Sequence, residues 1–172
     1  MVRRLGPNDV VAVVALRCEA LTLHPLAFSA APPDDPDLLT QSLRSRLALP
    51  AESALFGAFV ADTLVGMVGV VRNTGAKERH KALLWGMYVR AQHRRTGAGE
   101  RLLRSALHQA QAWPGVHQVQ LSVTESAQEA RRLYERHGFH EWGREPRALC
   151  WQGQYVADSH MWLDLTAPQP TP

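Results

Sequence analysis

The sequence predicts an α/β fold (α+β by some schemes), a sheet flanked by helices, and three stretches carry that expectation. Leu83 to Val89 is a strand-like apolar run, followed by the basic turn Arg94-Arg95-Thr96-Gly97-Ala98-Gly99 and a helix-like run from Glu100 to Ala112. Val116 to Thr124 alternates strictly, with Val119, Leu121 and Val123 on one face and Gln118, Gln120 and Ser122 on the other, then leads into a helically spaced segment. Leu55 to Ala61 and Leu64 to Arg72 are two more apolar runs, joined at Asp62-Thr63 as in a hairpin.

The elements follow in order. Val2 to Leu5 reads as a short strand. Pro7-Asn8-Asp9 opens a helix whose Val10, Val13, Val14, Arg17, Ala20 and Leu21 recur near helical spacing. Leu23 to Asp37 holds Pro25, Pro32, Pro33 and Pro36 and reads as a loop. Leu38 to Leu49 is helical, with Leu39, Leu43 and Leu47 on one side and a break at Pro50. After the hairpin, Asn73 to Lys81 is a polar loop. Ala82 to Arg90 is apolar on both faces, as a buried central strand is. The helix from Gly97 to Ala112 turns Leu102, Leu103, Ala106, Leu107 and Ala110 inward and ends at Trp113-Pro114-Gly115. In the next helix Ala130, Leu133, Tyr134 and His137 share one face, and Gly138 is a helix-ending glycine. Phe139 to Glu145 and His160 to Leu165 are the last two strands, with a variable loop from Glu145 to Asp158. Residues 1–166 read as a single domain, and the proline-rich segment 167–172 reads as a flexible tail.

Composition narrows the class. A chain of 172 residues suits one domain with a real core. No apolar run is long enough to cross a bilayer, and Met1-Val2-Arg3-Arg4 leads into no apolar h-region, so the expected location is cytoplasmic, with no membrane partner. Cys18 and Cys150 read as reduced thiols packed as small apolar groups, and no Cys/His spacing supports a metal site. A net charge of +3 is too small to argue for nucleic acid. The arginines 94, 95, 101, 104, 131, 132 and 136 keep that third reading open, and it predicts binding that weakens steeply with salt.

A strand, a basic glycine-containing turn and a helix start together make an anion site. The first N–H groups of a helix lack intrahelical partners and carry the positive end of its dipole. Gly97 and Gly99 let a phosphate approach the main chain, and Arg94 and Arg95 add positive charge. The spacing is not that of a dinucleotide fingerprint, since Leu102 stands where the third glycine would be, and no G-x-x-x-x-G-K-[ST] run exists. Arg94-x-x-Gly97-x-Gly99 resembles the Gln/Arg-x-x-Gly-x-Gly/Ala motif of the GNAT superfamily of acetyl-CoA-dependent N-acyltransferases. The segment from Ala127 to Phe139 resembles that superfamily's Asn-x-x-Ala-x-x-Leu-Tyr-x-x-x-Gly-Phe at Ala130, Leu133, Tyr134, Gly138 and Phe139. Ala127 departs from it, because asparagine is usual there.

The resemblance covers about Val2 to Leu165 and implies a mixed, mostly antiparallel sheet splayed between its fourth and fifth strands. It implies acetyl-CoA as co-substrate, without a metal. Met87, Tyr88, Val89, Ala127 and Ala130 would line the pantetheine arm, and the N–H groups of Arg95, Thr96, Gly97, Ala98, Gly99 and Glu100 would hold the diphosphate, with Arg94 beside them. The N–H of Met87 or Val89 would polarise the acetyl carbonyl. A primary amine of a small molecule or peptide would attack directly, and Tyr134 would serve the departing thiolate as acid. The fold also suits a homodimer through its last strands.

The amine's base is open among Glu125, just past the fifth strand, and Glu78 and His80, before the fourth; each reads equally as a solvated surface group. Asp34-Asp35 either selects a cationic acceptor, is simply hydrated, or caps the next helix. Trp142, Trp151 and Tyr155 either line the acceptor pocket or belong to the core. The alternative function is a non-catalytic acyl-CoA-binding or interaction protein on the same fold.

Overall fold

A computed structural model of the chain describes residues 1–32, 34, 35, 38, 40–47 and 51–166. Its strands are β1 (Val2–Arg4), β2 (Ser53–Val60), β3 (Thr63–Arg72), β4 (Lys81–Val89), β5 (Gln118–Thr124), β6 (His140–Trp151) and β7 (Gln154–Asp164). They form one 7-stranded sheet in the order β1-β2-β3-β4-β5-β7-β6. Only β4 and β5 run parallel; every other neighbouring pair is antiparallel. The helices are α1 (Val10–Leu23), α2 (Thr40–Leu47), α3 (Ala98–Ala112) and α4 (Gln128–Arg136).

Each face of the sheet carries its own core. On one, α3 buries Leu102, Leu103 and Ala106 against Val68, Val70, Val119, Phe139 and Met161. On the other, α1 and α2 bury Val13, Leu16, Ala20 and Leu43 against Leu55, Leu64 and Met67. The helices α1 and α2 pack over β3 and β2, which leaves the β5, β7 and β6 part of that second face without a covering helix among the described residues.

The positioning feature is in β4. Its pairing with β3 jumps from Trp85↔Gly69 to Tyr88↔Met67, so Gly86 and Met87 stand against a single residue of β3. That is a β-bulge, and Gly86 takes φ +62°, which favours glycine. The extra residue resets the side-chain alternation. Before it, Leu84 faces the α3 core and Trp85 the α1 core; after it, Met87 and Val89 face α3 and Tyr88 faces α1. Beyond the first residues of the parallel pair the two strands part: β4 meets β5 only at Lys81↔Gln118, Ala82↔Val119 and Leu83↔Gln120.

Several expectations are corrected. The stretch from Glu145 to Asp158 is not a loop: β6 runs to Trp151 and β7 starts at Gln154. Pro146 fits because β6 is the last strand of the sheet, where a missing N–H costs no ladder bond. The strand absorbs it with register shifts and a positive φ at Arg147, and it turns at Gln152-Gly153, both with φ > 0 as a tight hairpin requires. Cys18 and Cys150 are free but exposed rather than packed, because Cys18 lies on the outer side of α1 and Cys150 on the open edge strand. Within the proline-rich segment and the second helix, positions 33, 36, 37, 39 and 48–50 lie outside the described residues, as does the tail 167–172.

Candidate active site

The turn between β4 and α3 is stapled from within. Thr96 Oγ1 donates to the His93 carbonyl at 2.8 Å, and Arg101 Nη1 donates to the Thr96 carbonyl at 3.2 Å. Arg95 and Gly97 hold positive φ values of 61° and 76°. In this bent conformation no acceptor among the described residues takes the backbone N–H groups of Arg95, Thr96, Gly97, Ala98, Gly99 or Glu100; the first helical bond is Arg101 N–H to the Gly97 carbonyl, 3.0 Å. Consecutive free amides at a helix N-terminus are what a diphosphate needs. Arg94, Arg95 and Arg101 surround them, and Arg95 is paired with the exposed Glu129, 3.2 Å away. The residues fit a diphosphate-bearing ligand.

Met87, Tyr88 and Val89 lie at the parted end of β4. Tyr88 and Val89 keep Cα partners on β3, Met67 and Gly66, whereas Met87 sits in the bulge without one. The Val89 carbonyl accepts from Arg94 Nε at 3.0 Å. Past this point a cluster fixes α1 to the strand. Tyr88 OH donates to Glu19 Oε1 at 3.0 Å, and Arg90 Nε donates to both Glu19 oxygens at 3.1 and 2.9 Å. The hydrogen bond from Arg90 holds the Glu19 carboxyl below its usual range, against the opposing effect of burial. Burial, and the charge of Arg94, whose Nη2 lies 3.1 Å from Nε2, lower the His24 pKa below the usual histidine value.

The sign of the Glu19 effect follows. Its folded pKa lies below the unfolded value, so the pair stabilises the fold above about pH 4.3 and the contribution vanishes as pH falls through the folded pKa. Glu19→Gln should therefore destabilise the protein at neutral pH by about 0.2–1 kcal/mol and flatten the acid side of its stability curve, read by urea titration from neutral to acid pH.

On the α3 side, Tyr134 of α4 is 4% exposed and its ring lies 5.7 Å from that of Phe139. Burial alone drives its hydroxyl pKa well above the ordinary value. Ala130 and Leu133, partly buried, pack beside it. Ala127 precedes α4 and offers no side-chain cap. The turn is held instead by the Thr124–Ser126 hydroxyl pair at 2.9 Å and by Gln128 Nε2 donating to the Glu125 carbonyl at 2.7 Å.

Glu125 stands at the mouth of the split with both oxygens engaged. Oε2 accepts from Arg144 Nη2 at 2.6 Å and Oε1 from the Ala157 N–H at 3.1 Å. Glu78 and His80 fall at the opposite end of β4, before Lys81, where β4 and β5 are still paired, which removes them from the site. Asp35 does not face solvent: it is buried and accepts from Arg17 Nε at 2.7 Å. Trp142, Trp151 and Tyr155 are exposed, so they are not core.

The sequence reading missed a second set of groups, on the uncovered face across the split. Ser122 Oγ lies 2.8 Å from His160 Nδ1, and His160 Nε2 lies 3.4 Å from Glu145 Oε2. The Trp142 ring stacks on His160 at 5.4 Å. Asp158 completes the set; its buried Oδ1 has no hydrogen-bond partner among the described residues. Burial pushes the Asp158 carboxyl up and Glu145 adds to this, while His160 opposes it. The polar face of β5 was legible, but its meeting with β7 required the sheet order. Among the described residues no group of His, Cys, Asp and Glu is placed to hold a metal ion, and no helix is long and apolar enough to cross a membrane. A surface cavity of about 360 Å³, lined by Phe56, Arg104, Ser105, His108 and Gln109, shares no residue with the site.

Comparison with known proteins fits this geometry. A family model described as the acetyltransferase (GNAT) family matches residues 19–139. No curated protein sequence matches the chain. Among solved structures, a GNAT-family acetyltransferase from Streptococcus pneumoniae superposes with a TM-score of 0.82 at 22% identity, covering 94% of this chain and 97% of that one. The yncA structure from Salmonella typhimurium, which is described with its cofactor acetyl-CoA, gives 0.83 at 19% identity over 99% and 98%. A GCN5-related N-acetyltransferase from Kribbella flavida gives 0.80 at 26% identity over 96% and 97%.

Proposed function

Because this chain belongs to the GNAT acetyltransferase family, we propose that it moves the acetyl group of acetyl-CoA onto a primary amine of a small molecule or peptide by direct attack of that amine. The supporting observation is the run of undonated amides from Arg95 to Glu100 at the end of β4, beside the place where β4 leaves β5. Acetyl-CoA supplies the activated acetyl thioester. The amides and Arg94 hold its diphosphate, while Met87, Tyr88, Val89, Ala127 and Ala130 border its pantetheine arm between the parted strands.

The Met87 N–H, set in the bulge, donates to the thioester carbonyl oxygen, which gains charge as the amine attacks. Tyr134 donates a hydrogen bond to the departing sulfur. Its raised pKa keeps the hydroxyl protonated through the working range, so it supports the thiolate by hydrogen bonding more than by full transfer. The amine must arrive neutral, and an ordinary alkylamine with a pKa near 10.4 needs a proton acceptor.

Two carboxylates stand at the mouth. Glu125 would have to release Arg144 before it could serve as base. Asp158 is favoured by its free buried oxygen and by a pKa moved toward neutrality. Asp158→Asn should lower kcat/KM about 10-fold or more and remove the acid limb of its pH profile, whereas Glu125→Gln should leave that limb in place; the reverse pattern assigns the base to Glu125.

The direct test is thiol release from acetyl-CoA across an amine panel, alongside melting with the same ligand. A melting shift without turnover on any amine would move the protein to acyl-CoA binding alone. Nucleic acid is not part of this reading, since Arg104 pairs with Glu100 and Arg131 with Glu135 and Glu141. A cytoplasmic location, and a homodimer through the last strands, complete the proposal.

A further inference from the structure

Arg17 is a buried cation with a donor to spare. It lies on the sheet-facing side of α1 and is 7% exposed. Its guanidinium carbon stands 5.7 Å from the Trp85 ring centroid and 5.5 Å from that of Phe28. Nε is used by Asp35, but Nη1 is buried with no hydrogen-bond partner among the described residues. A buried donor on a charged group carries a desolvation penalty that a partner normally offsets, and such an exception calls for a ligand or a function.

The surroundings say where the partner would stand. Nη1 points at the β4 bulge: a Cβ built on Gly86 would lie 3.2 Å from it. Glycine there, already required by the positive φ, leaves only a hydrogen between the guanidinium and the main chain. Nη1 is closed off from solvent, so an oxygen bonded to it would enter alongside Gly86, at the lip where the sheet opens, as the side chains that cover the guanidinium give way. Extending the β4–β5 register beyond Leu83↔Gln120 puts Trp85 level with Ser122. The cationic lip of α1 and β4 therefore faces the lip that carries Ser122, His160, Asp158 and Glu145.

We propose that the acceptor amine also bears a carboxylate, and that Arg17 Nη1 binds one of its oxygens beside Gly86. This rests on the acetyl-transfer reading above. The acceptor's anionic end points to β4 and its amine to the His160–Asp158 lip, an orientation that opposed charges enforce. A singly charged, delocalised group suits the site better than a phosphate, because Asp35 holds the neighbouring nitrogen and would repel a dianion. Closure from water strengthens the charge-assisted bond.

The test pairs ligands that differ only at that group. Free amino acids are compared with their carboxamides as acceptors. N-acetyl amino acids and their amides are compared, with CoA present, for the melting shift they cause. The acids should be preferred about 10-fold or more in kcat/KM, mainly through KM, and should give the larger shift. Arg17→Lys keeps a cation for Asp35 but has no second nitrogen directed at Gly86, and should bring acid and amide to within about 3-fold of each other. Equal treatment of acids and amides by the unaltered protein, in turnover and in melting, overturns the inference, whatever the variant does. If no amine is acetylated yet the N-acetyl acids still bind in preference to their amides, the carboxylate site stands and the transfer reading fails.

Discussion

Replacing Tyr134 with phenylalanine is expected to lower kcat about 100-fold while leaving the protein at least as stable as before. The two halves have one cause. The ring is buried, and burial alone accounts for the raised pKa of the hydroxyl, which makes no hydrogen bond among the described residues. Removing the hydroxyl breaks no hydrogen bond and leaves the packing of the ring in place, so the melting temperature should not fall. Catalysis loses the donor that meets the sulfur as it leaves. Little change is expected in the binding of acetyl-CoA, because the diphosphate amides lie on another element. Stopped-time thiol release and a thermal melt on the same preparation check both halves. A variant that is less active and less stable would mean that Tyr134 only packs against Phe139. Because the tyrosine stays protonated far above neutral pH, any alkaline fall in rate should persist unchanged in the residual activity of the variant.

The legible part of this molecule is the part whose chemistry is local. The turn from Arg94 to Gly99 and the helix carrying Tyr134 each declare themselves within a few residues, because a helix start and an amphipathic face are short-range properties. The bulge had a local signal as well, Gly86 inside the apolar run Leu83 to Val89, but the sequence reading took that run as an unbroken central strand. What stayed hidden is set by strand order. Ser122 and His160 are far apart in the chain and meet because β7 lies between β5 and β6. Arg17 and Asp35 pair across the segment between α1 and α2, so an aspartate that looked like a solvent-facing selector is spent on an internal cation. Pro146 suggested a loop, because a proline is read against a central strand, and only the sheet order reveals that its strand is at the edge. His80 and Glu78 precede the central strand, but that strand opens at its other end.

Acetyl-CoA at about 100 times its Kd should stabilise the unaltered protein by about 2.7 kcal/mol, and Gly97→Val should abolish that shift at the same ligand concentration. For a domain of this size the shift corresponds to about 5–11 °C in Tm. Gly97 caps α3 at φ 76° and ψ 4°. A β-branched side chain disfavours that region strongly, so the turn would relax to negative φ and rotate the amides on either side. A Cβ there would also meet Arg101 Nη1 at 2.9 Å, but that is the far end of a flexible side chain and can move; the backbone angle decides the outcome. Gly99 is the internal control. It lies inside the first turn of α3, and a Cβ would find Leu133 at 3.6 Å and Val89 at 3.9 Å, ordinary contacts. Gly99→Ala should therefore keep most of the shift. The pair separates two reasons for a glycine that look alike in the sequence: one position needs its conformation and the other does not. If Gly97→Val melts with the full ligand shift, the amides from Arg95 to Glu100 do not hold the diphosphate, and the proposed seat of the cofactor fails with them.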